Sequence, residues 1–191
     1  NQMIMMAILM VIIPTISIGY IVETEGRSAV LSEKEKKLSS VITLLNDALG
    51  DRFSHYPDLP REARIRALNH ELGPVTERIT QAFPGIGAGY YHKALDAIIT
   101  YAPSALYQSN VGITITEDHP GREVMSSNSP VVYSGRQVRG DILNSMIPIE
   151  RQGEVIGYIW ANELTEDIRQ QAWKMDVRII AVLVAGLICS L

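Results

Sequence analysis

Met3 to Val22, MIMMAILMVIIPTISIGYIV, runs for twenty residues without a charge. At about 1.5 Å per residue that length crosses a hydrocarbon core of roughly 30 Å. The run reads as a membrane-spanning helix, with Pro14 tolerated because neighbouring groups can satisfy the carbonyl it frees. A secretory signal peptide is the competing reading. The run is longer than the usual apolar region of about 7 to 15 residues, and no clear A-x-A site follows it. From Ile179 the chain is apolar again, IIAVLVAGLICSL. This reads as a second, truncated crossing over 177–191, with a buried core helix as the alternative. Two crossings would leave residues 23–176 together on one side of the membrane.

The charge balance argues against a nucleic-acid partner, because the formal net charge is −4 and no basic run exceeds Lys36-Lys37. The single cysteine, Cys189, excludes an intramolecular disulfide and a Cys-rich metal site. His55, His70, His92 and His119 show no i,i+4 spacing and no adjoining cysteine, so a metal site is not expected. No G-x-S-x-G elbow presents a nucleophile, and catalysis is not expected of these residues.

Between the apolar ends the pattern is helical first and strand-like afterwards. Leu31, Leu38, Val41, Leu45 and Leu49 recur at helical spacing and read as a stalk helix, packing on a partner chain or on its own domain. After a polar break at 51–60, Ile65, Leu68, Leu72, Val75, Ile79 and Phe83 form a second stripe, interrupted at Gly73-Pro74. From 84 to 163 the chain reads as strands at 97–101, 111–116, 123–125 and 131–133, then a hairpin of 138–149 and 155–161 turning at Glu150 to Gly153. Helices followed by strands predict an α+β domain with one antiparallel sheet. The expected division is a first crossing at 1–22, stalk and helical part at 23–83, sheet at 84–163, exit helix at 164–176 and second crossing at 177–191.

The hairpin is the expected floor of a small-ligand pocket. Arg136, Arg139, Asn144, Asn162 and Glu163 lie on or beside it, and Tyr90, Tyr91, Tyr101, Tyr107 and Tyr133 precede or join it. Arginine offers a fork of donors that matches a carboxylate, while Tyr and Asn orient carbonyls and hydroxyls, so a small carboxylate suits the set. The candidate ligand-binding residues are Arg139, Asn144, Asn162, Tyr90, Tyr91 and Tyr107. Surface pairing of Arg139 with Asp141 or Glu163 is the other reading. Strict strand alternation puts Arg139 and Asn144 on opposite faces, so a bulge is needed for both to face one pocket.

Three short motifs carry little. GIGAG at 85–89 lacks the strand-to-helix context of a dinucleotide loop, and its glycines instead allow close approach of a ligand or a strand. His70 to Pro74, HELGP, is near a phosphoacceptor box but has its proline one residue early. Arg139-Gly140-Asp141 in a strand-like context is uninformative.

The runs NQMIMMAILMVIIPT, GYIVETEGRSAVLSEKEKKLS, LPREARIRALN, FPGIGAGYY, LDAIITYAPSALYQ, HPGREVM, VYSGRQVRGDILNSM and GYIWANELTEDIRQQAWKMDVRII closely resemble the N-terminal sensory part of AtoS-type sensor histidine kinases. RGDILNSMIPI and IGYIWANEL also resemble the PAS-like, single-Cache extracytoplasmic domains of a wider set of bacterial sensor kinases. The resemblance implies an inner-membrane homodimer with residues of about 23–176 in the periplasm, responding to acetoacetate and also to spermidine. It further implies that a kinase region beyond Leu191, using ATP and magnesium, passes a phosphoryl group to a cytoplasmic response regulator. No cofactor is implied for these residues, and no ligand residue is carried over. A chemoreceptor or cyclic-dinucleotide enzyme output is an alternative, as is a membrane-tethered protein-binding scaffold.

Overall fold

The structure, a computed structural model, describes the backbone of residues 2–166 and the side chains of residues 25, 26 and 28–166. Nearly all of the expected exit helix and the whole of the second crossing lie outside the described residues. The chain divides into two compact units, residues 1–34 with 168–191 and residues 35–167. Helix α1 spans Gln2–Leu49. The apolar run 3–22 lies within it, but its side chains are outside the description. Among the residues that are described, no helix is long and apolar enough to cross a membrane.

Within the unit of residues 35–167, the α1 stripe is real. Leu38, Val41, Leu45 and Leu49 are fully buried, whereas Leu31, preceding that unit, is 47% exposed. Helix α2 (Arg61–Ala82) carries Pro74 in its interior, and the expected interruption at Gly73-Pro74 does not occur. Proline there removes one backbone bond without ending the helix, because the buried face persists on both sides of it. Ile65, Leu68 and Leu72 form that face before the proline, and Thr76 and Thr80 continue it in place of Val75 and Ile79. The threonines can be buried because their hydroxyls are satisfied locally: Thr76 Oγ1 donates to the Leu72 carbonyl at 2.8 Å and Thr80 Oγ1 to the Thr76 carbonyl at 3.1 Å.

Five strands, β1 (Ile86–His92), β2 (Ala97–Ala102), β3 (Val131–Gln137), β4 (Gly140–Arg151) and β5 (Glu154–Leu164), form one antiparallel sheet in the order β2-β1-β5-β4-β3. The last strand therefore returns to the centre beside the first. The β4–β5 turn is tighter than the expected four residues. It comprises Gln152 and Gly153 alone, with φ of 55° and 82°, the left-handed pair that matches the twist of a two-residue hairpin.

Two expected strands are corrected. Residues 123–125 belong to a helix, α4 (Pro120–Ser127), started by Pro120 in its first turn and capped by His119 Nδ1, which accepts from Gly121 N at 3.0 Å. Val111 and Gly112 lie in a turn, with Gly112 at a φ of 85°, and residues 113–116 join no ladder, although the Ile98 backbone exchanges bonds with Gly112 and Ile113. A short helix, α3 (Ser104–Tyr107), precedes them.

The sheet has two different faces. On one, Tyr90 Oη donates to the Leu45 carbonyl of α1 at 2.6 Å, and the Thr76 hydroxyl of α2 meets that of Thr100 at 3.2 Å. The opposite face gathers Tyr91, Ile98, Tyr101, Met146, Tyr158 and Trp160 with Ile115, Val124 and Met125 from the covering segments.

Candidate functional site

The second face does not close over completely. Between the sheet and the covering stretch 110–119 lies a cleft of about 310 Å³, at the small end of the range for ligand pockets. Ile98, Tyr101, Asn144, Tyr158 and Trp160 from the sheet line it, with Asn110, Ile113 to Thr116 and His119 opposite, and Arg136 to Val138 at the β3–β4 end. The β4–β5 hairpin thus supplies part of the floor. Val111, Ile113 and Ile115 alternate like a strand, but their segment covers a cavity instead of pairing.

The covering stretch is held down by a polar clasp. Asp96, in the β1–β2 turn, accepts from Tyr91 Oη and, at 2.6 Å, from Thr114 Oγ1; Arg122 Nη1 of α4 lies 2.9 Å from its carboxylate. The bonds from Thr114 and Tyr91 keep the Asp96 carboxyl below the usual carboxylate range. Arg122 Nη2 also donates to the Ile115 carbonyl at 2.9 Å.

The lining groups are uncharged but for one. Burial pushes the Tyr101 phenol up to about 12, opposed by its bond with Asn162 and by Arg139. Burial also raises Tyr158. His119 is pushed down by burial and then by Arg122. Because its Nδ1 accepts from Gly121, the neutral ring carries its proton on Nε2. Arg136 is the one cation of the lining, and no carboxylate belongs to it.

Of the six candidate residues, Asn144 lines this cleft and the others do not. Tyr90 faces the helices. Tyr91 lies on the cleft side, but its ring stacks on Tyr158 with centroids 5.2 Å apart and its hydroxyl is engaged by Asp96. Tyr107 stacks on Tyr101 at 4.7 Å. Arg139 and Asn162 do come together. Arg139 Nη1 donates to Asn162 Oδ1 at 2.7 Å and to its carbonyl at 3.1 Å, Nη2 donates to the Gly85 carbonyl at 3.1 Å, and the guanidinium lies 5.7 Å from the Tyr107 ring centre. Arg139 does not join Asn144 in the cleft; it sits in the β3–β4 turn and folds back over Gly87. A Cβ at Gly87 would come 2.6 Å from Arg139 Nη1, which explains part of the GIGAG run as room for another residue's side chain. Arg139→Ala is therefore expected to cost about 2 kcal/mol of stability, by loss of charge-assisted bonds, measurable by urea unfolding.

Gln137, Tyr158, Trp160 and His119 line the cleft and were not singled out by sequence reasoning. Alternation gave a usable signal for one pair: Tyr158 and Trp160 share a strand face with Asn162, which the sequence did select.

A family model for the AtoS N-terminal domain matches residues 1–170. The chain belongs to the AtoS N-terminal domain family. This family member is 81% identical over all 191 residues to the signal transduction histidine-protein kinase AtoS of Escherichia coli strain K12, and it spans 31% of that protein's length. The ligand-binding domain of the Campylobacter jejuni chemoreceptor Tlp3, in complex with L-norvaline, matches with a TM-score of 0.60 at 13% identity, over 83% of this chain and 62% of that one. The sensor domain of the Vibrio cholerae histidine kinase DctB matches with a TM-score of 0.60 at 16% identity, over 81% and 57%. These likenesses show the fold, mixed helix and antiparallel sheet of the PAS-like, Cache kind, as the sequence resemblance implied.

Proposed function

We propose that the chain is the extracytoplasmic ligand-sensing region of an inner-membrane, homodimeric two-component sensor histidine kinase, and that its outer-face cleft binds a small carboxylate such as acetoacetate. The observation that carries the ligand class is the lining itself. One guanidinium, hydroxyls, amides and a neutral imidazole face a cavity without any acidic side chain. Such a surface stabilises an anion and offers a polyamine no counter-charge. The same lack of carboxylates leaves nothing there to hold magnesium. ATP, magnesium and the response regulator belong to the kinase region of the full-length protein. The kinase relative, 81% identical over these residues, favours that output over a chemoreceptor or a cyclic-dinucleotide enzyme, and an open cleft favours a metabolite over a protein partner.

A ligand of about seven heavy atoms is limited to about −10 kcal/mol by the ceiling per atom, so micromolar or weaker affinity is expected. Signalling uses only the difference in binding between two conformations, typically about 1 to 3 kcal/mol. The tip of the β4–β5 hairpin offers a contact for it: Arg151 Nε and Nη2 donate to the Gly50 carbonyl at 3.2 and 2.9 Å, just beyond α1.

Thermal melting of the chain in detergent micelles tests the ligand class. A short-chain keto or hydroxy acid at ten times its Kd is expected to add about 1.4 kcal/mol, a rise of about 3 to 6 °C. Arg136→Gln should weaken it about tenfold. A rise with spermidine and none with any acid would contradict the reading.

A further inference from the structure

We propose that the α4 end of the cleft is a second recognition point, where His119 Nε2–H and the Tyr158 hydroxyl together donate to a carbonyl oxygen of the ligand. The cleft then selects a carboxylate that carries a carbonyl further along its chain over the plain fatty acid. This rests on the reading of the cleft as the ligand site.

His119 divides its two ring nitrogens. Nδ1 is committed to α4, where it accepts from Gly121 N at 3.0 Å, and the proton is left on Nε2. Nε2 has no acceptor among the described residues, yet it is not sealed in, because the buried polar atoms that lack a partner belong to other residues. The ring lines the cleft. With its Nδ1 edge turned to α4, the edge that remains for the cavity carries Nε2.

Tyr158 comes up from β5 to the same place. It is 2% exposed and lines the cleft, and its ring centre lies 6.3 Å from that of His119. Helix α4 begins directly on this phenol: a Cβ at Gly121 would come 2.7 Å from Tyr158 Oη, so a glycine is what lets the hydroxyl lie under the first turn. Tyr90 and Tyr91 spend their hydroxyls inside the protein, on the Leu45 carbonyl and on Asp96. Tyr158 Oη has no such partner among the described residues and, like His119 Nε2, is not sealed in. A phenylalanine would fill the same space with no polar group to satisfy.

One O–H and one N–H donor match the two lone pairs of a carbonyl oxygen. Arg136 belongs to the other end of the cleft. It faces Asp141 near the start of β4, whereas Tyr158 faces Pro148 towards its finish. A carboxylate with a carbonyl beyond it meets both ends. A fatty acid of the same length meets Arg136 alone, displaces water from the two donors and leaves them unpaired, which is the situation in which polar sites discriminate most strongly.

Calorimetric titration of the chain in detergent micelles with two matched pairs, butyrate against 3-oxobutyrate and pentanoate against 4-oxopentanoate, tests this. Two lengths are used because the ligand has to bridge the ends of the cleft. In at least one pair the oxo acid is expected to bind about tenfold more tightly than its parent. Tyr158→Phe and His119→Asn are each expected to cut that preference to within about threefold while leaving the parent acid's affinity unchanged. Asparagine is chosen because its Oδ1 can still accept from Gly121 N and cap α4, so a loss of preference there reads the missing Nε2–H and not a loosened helix. Should Tyr158→Phe fail to fold, His119→Asn carries the test. Equal binding within both pairs by the unaltered chain overturns the donor pair while leaving the carboxylate site standing. An oxo-acid preference that survives both substitutions removes His119 and Tyr158 from the account. Binding of none of the four acids overturns the site itself.

Discussion

Replacing Gly89 by alanine is expected to lower stability by about 3 kcal/mol or more, a fall in the melting midpoint of at least about 6 °C for a chain of this length. Gly89 lies in β1, laddered to Tyr101 of β2 on one side and to Trp160 of β5 on the other. A Cβ there would fall on the Thr100 carbonyl oxygen and come 2.6 Å from Trp160 Cζ2. The indole could turn away, but the carbonyl belongs to the neighbouring strand and moves only if the ladder opens. Because Trp160 is cleft floor, the same substitution should weaken ligand binding. Gly73→Ala is the control: in α2 its Cβ would meet only Asn69 Nδ2, at 3.9 Å. Relief of glycine's helix penalty should then raise stability by about 0.5 to 1 kcal/mol. Equal effects at the two positions would mean that the close approach at Gly89 is not what holds β1 and β2 together.

His92 sets the second large effect, in the pH dependence of stability. Its ring stacks on Phe53 at 4.7 Å on the helix-covered face, and Nδ1 accepts from Leu95 N at 3.3 Å. Burial lowers its pKa from 6.5 to about 4, with Arg64 adding to the fall and the Phe53 carbonyl opposing it. Between those two values the unfolded chain binds a proton that the folded chain refuses. Stability therefore rises with pH through this window and is lost as the pH falls, by about 1.36 kcal/mol per unit and about 3 kcal/mol in all. Carboxylates titrate in the same range, so the diagnostic quantity is the difference between His92→Gln and the unaltered chain. That difference should shrink steeply between pH 6.5 and 4 by urea unfolding, and a constant difference would show that the ring is protonated in the fold.

Much of the fold was readable where local pattern and final environment agree. The alternation of β4 and β5 buries one side on the helices and the other beneath the cleft, so the hairpin was visible in outline. Its turn was read as too long because Glu150 and Arg151 look like loop residues although both remain paired. Val111 to Thr116 misled because alternating apolar residues roof a cavity as readily as they build a strand. Glu123 to Met125 misled for a different reason. The helix signals there, proline at the first turn and Asn128 as a left-handed cap with φ of 50°, were present and outvoted by β-rich surroundings.

The site was less readable than the fold. Arg139 has the chemistry of an anion anchor, but spatial neighbours far away in sequence, Gly85 and Asn162, occupy its donors. Tyr90 and Tyr91 are adjacent, and strand alternation sends one to each face. Gln137 carried no signal, since its importance comes from the one bond to Asn144 that leaves both amides half satisfied.

The central claim is that the ligand occupies the outer-face cleft. Side-chain amide and indole N–H resonances of the isotope-labelled chain, followed by NMR during titration with a short-chain hydroxy acid, test it most directly. The account predicts saturable shifts of Asn144, Gln137 and Trp160, with the side-chain amide of Asn69, on α2, unmoved. Shifts confined to Asn69, or none at any of these groups at saturating acid, would contradict it.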